Sequence, residues 1–596
     1  MICFALTRKS RRTHFIFAGI VALHLALSAA WLVIDNITGN GINGATIFHL
    51  HYGFLNAGAI YDRWPSLLLT ASGLLIFTFL AKKSTGWGQL GLLRPKFLSA
   101  AFLLIVGALA LHPATKNLMQ LNWPAAEAKD FYANYRQPKI QRIAPQPKSF
   151  IFIYGESLER TYLDDKLFPN LVPELQQLEQ SGISFTNIDS LLGTGFTMGG
   201  LVASNCGIPL ITPSHPNSMS GMDLFLPGAI GLSDLLHQEG YRLAFFGGAD
   251  LNFGGKRKFL QSHHFDEVLG RAELEPKLKD PTYVNGWGLY DHSLLDLVYD
   301  RYTELAANHQ PFGLFLLTLN THSPDGLPSK SDELSPYGDG SNRMLTAVKA
   351  SALHIVKFVR RVQASTWGKD TVIVIMSDHI AMPNEATALL DRGIRKNLFL
   401  ILDPKIKRGA SIPRLGSTFD IGPTLLPFLG FTGSIGLGRN LLDPNVLDSE
   451  IAHIHDPAVL ASWRDNFIEF WDFPRLSQEI HFKAGLITLD KRRLEAPVLV
   501  TLDEHDKLSL RFEFDAEWDV RLAAQARQLP QGTRYLLFAQ EKDIAASFPR
   551  VVTGQSDRWV LLLGRAGAGS QLIALPETIE TALLKKDLLA RWDKLR

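Results

Sequence analysis

Cysteine is nearly absent from this chain: Cys3 and Cys206 are the only two among 596 residues. One stands near the N-terminus and the other far downstream in a glycine-rich stretch. This excludes a disulfide framework and a cysteine-based zinc site, while leaving either redox compartment open. A surplus of charge is missing as well. The net charge of +2 provides neither an acidic tail nor the basic face that grips nucleic acid. There is no internal repeat or low-complexity tract. With 46 % apolar and 20 % charged residues, disordered and collagen-like classes are excluded. A chain of this length is expected to divide into more than one domain.

What is present first is apolar length. Phe15 to Ile34 is almost continuously apolar, preceded by Arg8, Lys9, Arg11 and Arg12 and followed by Asp35. A helix of that length, at about 1.5 Å per residue, crosses a hydrocarbon core of about 30 Å. Pro65 to Ala81 and the shorter Phe97 to Leu111 read as two further spans, with Lys82, Lys83, Arg94 and Lys96 between them. Cytoplasmic loops carry the Lys/Arg excess, so the N-terminus is expected inside and everything after about Pro113 outside, in the periplasm. A cleaved signal peptide would not explain the two later runs; buried core helices are the other alternative. His49, His51 and Tyr52 lie in a glycine-interrupted apolar stretch with no third ligand nearby, and read as facing the membrane interface.

From Lys148 the pattern changes. Ser149–Tyr154, Leu243–Phe246, Phe312–Leu319, Thr371–Met376 and Leu398–Leu402 are short, continuously apolar runs, as strands buried on both faces require. Val172–Ser181, Leu232–Glu239, Asp291–Ala307 and Leu345–Ala364 between them have helical spacing. This alternation predicts an α/β fold with a doubly wound, mostly parallel sheet. Leu508–Phe514 alternates cleanly, and Tyr535–Phe538, Trp559–Leu563 and Leu572–Leu575 read as further strands, so a small α+β or mostly β appendage is expected. The division is then 1–115 as a membrane anchor, 116–147 as a linker arm, 148–445 as the catalytic domain and 446–596 as the appendage.

Ligands of open α/β sheets bind beyond the carboxyl ends of the strands. Gly155-Glu156-Ser157, Asn320-Thr321-His322-Ser323 and Ser377-Asp378-His379 all stand there. A carboxylate at a strand end also serves as a helix cap or ion-pair partner, and an Asp-His pair after a strand is common. Together on one rim they favour a metal site. Glu156, Asp378 and His379 form an oxygen-rich set suited to Mn²⁺ or Mg²⁺, with Zn²⁺ also compatible. Leu192-Gly193-Thr194-Gly195-Phe196-Thr197-Met198-Gly199-Gly200-Leu201 is a glycine-laced turn leading into an apolar helix. A threonine there can cap the helix. Beside a metal and a helix N-terminus it can instead become a nucleophile.

These motifs resemble the lipoteichoic acid synthase and phosphoglycerol transferase branch of the alkaline phosphatase superfamily. The similarity runs from about Lys148 to Leu442. It rests on Tyr154-Gly155-Glu156-Ser157-Leu158-Glu159-Arg160-Thr161-Tyr162, Val202-Ala203-Ser204-Asn205-Cys206-Gly207-Ile208-Pro209-Leu210, Thr321-His322-Ser323-Pro324-Asp325-Gly326 and Ser377-Asp378-His379-Ile380-Ala381-Met382. The resemblance implies a threonine nucleophile at Thr197 and one metal held by Glu156, Thr197, Asp378 and His379. It implies that His322 contacts a phosphoglycerol group, and that Lys256, in Phe253-Gly254-Gly255-Lys256-Arg257, stands near the position of a family arginine holding the same group.

It further implies transfer of phosphoglycerol from phosphatidylglycerol to periplasmic glucans, through a covalent intermediate, by an inner-membrane enzyme. Two-metal members carry a histidine shortly before the Asp of an Asp-x-x-Pro-Thr-type stretch. Ser417-Thr418-Phe419-Asp420-Ile421-Gly422-Pro423-Thr424 has none, so one metal is expected. The Cys-x-Pro-x-Arg motif of sulfatases is absent around Cys206, which reads as a small buried residue. Gly564–Gly569 fits no P-loop and reads as a turn. Two other readings remain. One is a phosphoethanolamine transferase acting on lipid A or glucan, whose relatives usually carry several disulfides. The other is a non-catalytic envelope protein that binds glycan.

The topology is open to test. An alkaline phosphatase reporter fused after Pro113 is expected to be active and one fused near Gly88 inactive; the reverse pattern would overturn the orientation.

Overall fold

The structure, a computed structural model, describes residues 107–122, 130–212, 225–333, 335–471 and most of 479–595, with a few isolated positions before residue 47. The runs read as membrane spans fall almost wholly outside the described residues, as do His49, His51 and Tyr52. Among the described residues no helix is long and apolar enough to cross a membrane.

In chain order, β1 (Arg136–Arg142) and β2 (Ser149–Gly155) come first. Then follow α1 (Pro173–Glu179), β3 (Ile183–Phe185), α2 (Thr197–Cys206), α3 (Leu232–Gln238), β4 (Arg242–Gly247), α4 (Lys256–Ser262) and β5 (Glu267–Leu269). After these come α5 (Asp291–Ala307), β6 (Phe312–Leu317), α6 (Lys330–Glu333), α7 (Arg343–Gln363), β7 (Thr371–Ser377), β8 (Phe399–Leu402) and β9 (Ala410–Ile412). The unit closes with α8 (Ile421–Leu429) and β10 (Phe431–Gly436).

Eight strands share one sheet in the order β9-β3-β8-β7-β2-β6-β4-β5. β2 is parallel to both β7 and β6, and β4 to β6 and β5. β8 is antiparallel to β7 and β3, so the sheet is mixed, and Leu398–Leu402 is not one of the parallel set. The chain between β7 and β8 contains only the four-residue helix Thr387–Leu390.

The continuous apolar runs are explained by burial on both faces. Phe150, Phe152 and Tyr154 of β2 pack into one core with α2, α3 and α8, where Phe152 stacks on Phe315 at 5.3 Å. Ile151 and Ile153 point the other way, into a core shared with α1, α5 and α7. α7 is capped by the Asn342 side chain, which accepts from the Leu345 N–H at 2.9 Å. Its last turn holds Arg360 and Arg361, which suit the negative end of the helix dipole.

Within the stretch read as a linker arm, β1 pairs antiparallel with β10. Toward the C-terminus two antiparallel sheets form, one of four strands and one of five. Ile480, Phe482, Leu536, Phe538, Leu561 and Trp592 are buried in one of their cores.

Candidate active site

β7, β2 and β6 are neighbours, and the register sets what their ends bring together. Gly155 lies opposite Ser377 and Tyr154 opposite Leu317. One step further, Glu156, Asp378 and Thr318 emerge side by side on the carboxyl rim. Ser157 adopts a left-handed backbone with φ 53°, which costs a non-glycine residue about 1–3 kcal/mol. The turn aims its N–H at Asp378 Oδ1, 2.8 Å away, and its hydroxyl donates to Glu156 Oε1 at 3.0 Å. The Glu156 N–H in turn donates to Thr318 Oγ1 at 2.9 Å, and the Thr321 hydroxyl donates to the Glu156 carbonyl.

Glu156, Asp378 and His379 are all buried, and one ligand atom from each lies within 4.8 Å of the others. His379 Nδ1 is 2.7 Å from the Ile380 carbonyl, so Nδ1 carries the donated proton and Nε2 is the ring nitrogen that faces the carboxylates. Nε2 stands 3.4 Å from Glu156 Oε1 and 3.3 Å from Asp378 Oδ2. Neither Nε2 nor Asp378 Oδ2 has a hydrogen-bond partner. A buried polar atom left so costs about 1–3 kcal/mol.

Burial, then the charge of Glu156, pushes the Asp378 carboxyl well above the usual carboxylate range. Burial also opposes ionisation of Glu156, but its contacts with His379 outweigh that and hold it low. His379 loses basicity to burial and regains more from Asp378 and Glu156, reaching about 9. Two carboxylates and an imidazole here must share protons or share a cation. A divalent ion fits: it neutralises both carboxylates and satisfies both orphaned atoms.

Thr197 is the first residue of α2, after an extended Phe196 that stands at the N-cap. Its hydroxyl points to Glu156 Oε2 at 3.4 Å. Thr194 is used differently. It is fully buried, accepts from the Leu191 N–H at 2.8 Å and donates to the Leu191 carbonyl at 2.9 Å. Of the two threonines in the turn, Thr197 is the one at the cluster. The glycines that follow allow the approach: a Cβ at Gly200 would stand 1.7 Å from the Asp378 carbonyl oxygen, and one at Gly199 2.3 Å from that of Gly193. Cys206 ends the same helix, buried.

His322 is half-buried, with Nδ1 2.8 Å from the Ser323 carbonyl and the Trp287 ring 4.2 Å from its own. Lys256 begins α4 in a buried position, and its Nζ donates to the Phe253 carbonyl at 2.8 Å. Burial lowers its pKa to about 8 against the opposing pull of Glu156, Asp250 and Asp378. Asp420, the aspartate of the stretch that lacks a histidine, accepts from the Ser417 N–H at 2.7 Å and the Arg439 N–H at 2.6 Å.

Several supports were not singled out from sequence. Glu159 is buried, pairs with Arg395 and accepts from the Ala381 N–H at 2.8 Å, which ties the loop after β2 to the loop after His379. Trp287 also carries no local signal, because its partner His322 is remote in sequence.

A family model described as Sulfatase matches residues 148–431. A second, described as Phosphoglycerol transferase I, N-terminal domain, matches residues 1–131. The chain is 34 % identical over 514 residues to a phosphoglycerol transferase I of Escherichia coli O127:H6 (strain E2348/69 / EPEC), covering 83 % of this chain and 66 % of that protein. Identity and coverage are the same for a phosphoglycerol transferase I of Shigella boydii serotype 18 (strain CDC 3083-94 / BS512). The chain thus spans 66 % of the length of these curated relatives. A crystal structure of a protein in the alkaline phosphatase superfamily from Vibrio parahaemolyticus is similar with a TM-score of 0.44 and 18 % identity, covering 66 % of this chain and 89 % of that one.

The close approach of α2 to Asp378 generates a paired test. Gly200→Ala should force the helix off the rim, lower thermal stability by about 1–3 kcal/mol and weaken divalent-metal binding. Gly195→Ala, where the nearest atom to the new Cβ is Ser190 Oγ at 3.9 Å, should change neither. Equal melting and metal titration curves for the two variants would contradict this account.

Proposed function

This chain belongs to the sulfatase family through residues 148–431, and on that premise we propose that it moves phosphoglycerol from phosphatidylglycerol to glucose residues of periplasmic glucans. The chain is proposed to act from the inner membrane, with its catalytic part on the periplasmic side. The observation carrying the reading is the Thr197 hydroxyl directed at a buried Glu156–Asp378–His379 cluster with two orphaned ligand atoms. The likeness to phosphoglycerol transferase I over 83 % of the chain supports the choice of head group.

Glu156, Asp378, His379 and the Thr197 hydroxyl would hold one divalent ion, Mn²⁺ or Mg²⁺, with Zn²⁺ also compatible. Such an ion, when bound, lowers the hydroxyl pKa and neutralises charge on the phosphoryl oxygens. Thr197 Oγ1 attacks phosphorus and loses its proton, and the phosphorus–oxygen bond to diacylglycerol breaks. The departing diacylglycerol oxygen takes up a proton. A phosphoglycerol ester of Thr197 remains. A glucose hydroxyl, its proton leaving in turn, then attacks the same phosphorus and releases the threonine. The N-terminus of α2 favours negative charge beside Thr197. The Lys256 ammonium is a cation for the phosphodiester, and His322, with Nδ1 donating to Ser323, keeps Nε2 as an acceptor for a glycerol hydroxyl. Dividing the transfer in two lets a bulky lipid and a bulky glycan use one site in turn.

The test is direct observation of the intermediate. Purified chain given phosphatidylglycerol should release diacylglycerol and carry a phosphoglycerol adduct on Thr197, read by mass spectrometry of the peptide spanning Gly193 to Leu201. A β-glucoside should discharge it as glycerophosphoryl-sugar. Thr197→Ala should remain folded and form no adduct. A phosphoethanolamine adduct would refute the head group, and no adduct with any phospholipid, metal supplied, would refute the reaction.

A further inference from the structure

We propose that His292, Asp332 and His354 form a second metal site, of the class that takes Zn²⁺, whose role is to clamp the loop carrying His322. The three come from separate elements: His292 from the first turn of α5, Asp332 from α6 and His354 from the middle of α7. One ligand atom from each lies within 4.8 Å of the others. His354 Nε2 is 3.0 Å from Asp332 Oδ1. The other oxygen of Asp332 is occupied, accepting from the Ser329 N–H at 2.9 Å and its hydroxyl at 2.8 Å, so Oδ1 is the one turned to the histidines.

A hydrogen-bonded Asp–His pair explains Asp332 and His354 but not His292. The His292 ring lies 5.3 Å from that of His354, and its Nδ1 is buried with no hydrogen-bond partner. Two imidazoles and one carboxylate make a borderline donor set that suits Zn²⁺ better than the oxygen-rich ions, with a position left for water. The cation is the partner that both imidazoles and the carboxylate can share.

The position of the trio indicates what the metal would do. The loop after β6 is pinned at its start by buried Asp291, which accepts from the Leu319 and Asn320 N–H groups at 2.6 and 3.1 Å and from the Ser351 hydroxyl at 2.7 Å. The trio pins the end of the same stretch at Asp332. His322 lies between the two anchors, and Trp287, just before α5, covers its ring. The trio therefore positions His322 and takes no part in bond making. Nothing in this inference depends on which head group is transferred.

The experiment uses the full-length chain in detergent, stripped of metal, with Glu156→Gln and Asp378→Asn emptying the first cluster. Zn²⁺ should still bind at one equivalent per chain and raise the melting temperature. Co²⁺ in its place should give the intense visible absorption of a four- or five-coordinate site. His292→Gln or His354→Gln added to that background should weaken Zn²⁺ binding about tenfold or more, and the unsubstituted first cluster should restore a second equivalent. No Zn²⁺ binding in the emptied background overturns the proposal, as does binding indifferent to both histidines. A weak octahedral Co²⁺ spectrum overturns it too, a readout that needs no histidine variant to fold.

Discussion

Two carboxylates on the ends of adjacent parallel strands are forced together by the sheet itself, and the surrounding architecture answers that repulsion. The spacing between β2 and β7 is set by backbone hydrogen bonds and cannot relax to separate Glu156 from Asp378. Compensation has to come from elsewhere. Ser157 supplies two donors from one strained turn, His379, made more basic by the carboxylates, sets Nε2 between them, and the N-terminus of α2 points its positive end at the same spot. The negative charge that these leave over is what a divalent ion would offset.

α2 shows the cost of such an arrangement. Met198-Gly199-Gly200 starts a helix with two residues that each cost it about 1 kcal/mol relative to alanine. Neither is there for flexibility. Both positions face backbone oxygens at distances that no side chain could share. The glycines that weaken the helix locally are what let it deliver Thr197 to the rim.

Much of this was legible in the sequence because the signals are local. Phe150–Ile153 and Val372–Met376 are apolar at every position, as a strand covered on both sides must be, and the residues after them could be read directly as a rim. The direction of β8 was not legible: Leu398–Leu402 has the same composition as its neighbours, and composition does not set the direction in which a strand pairs. The choice between Thr194 and Thr197 came from resemblance alone, since both sit in one glycine-rich turn. The structure separates them by what each hydroxyl contacts. Trp287, Asp291 and Glu159 escaped notice for a common reason. Their partners His322, Leu319 and Arg395 are far away in sequence, and no spacing rule reaches that distance.

The pairing of β1 with β10 bears on how far this unit can travel. Were the chain free up to β2, the stretch from Arg136 to Lys148 would add about 40 Å of extended tether. Stitched to β10 along Arg136–Arg142, that stretch is part of the rigid body instead. A shorter leash would narrow the range of heights that the rim can reach above whatever holds the N-terminal segment. Under the proposed anchorage, a lipid donor on that plane would meet a site at nearly fixed elevation, and the proposed glycan acceptor would have to come down to it.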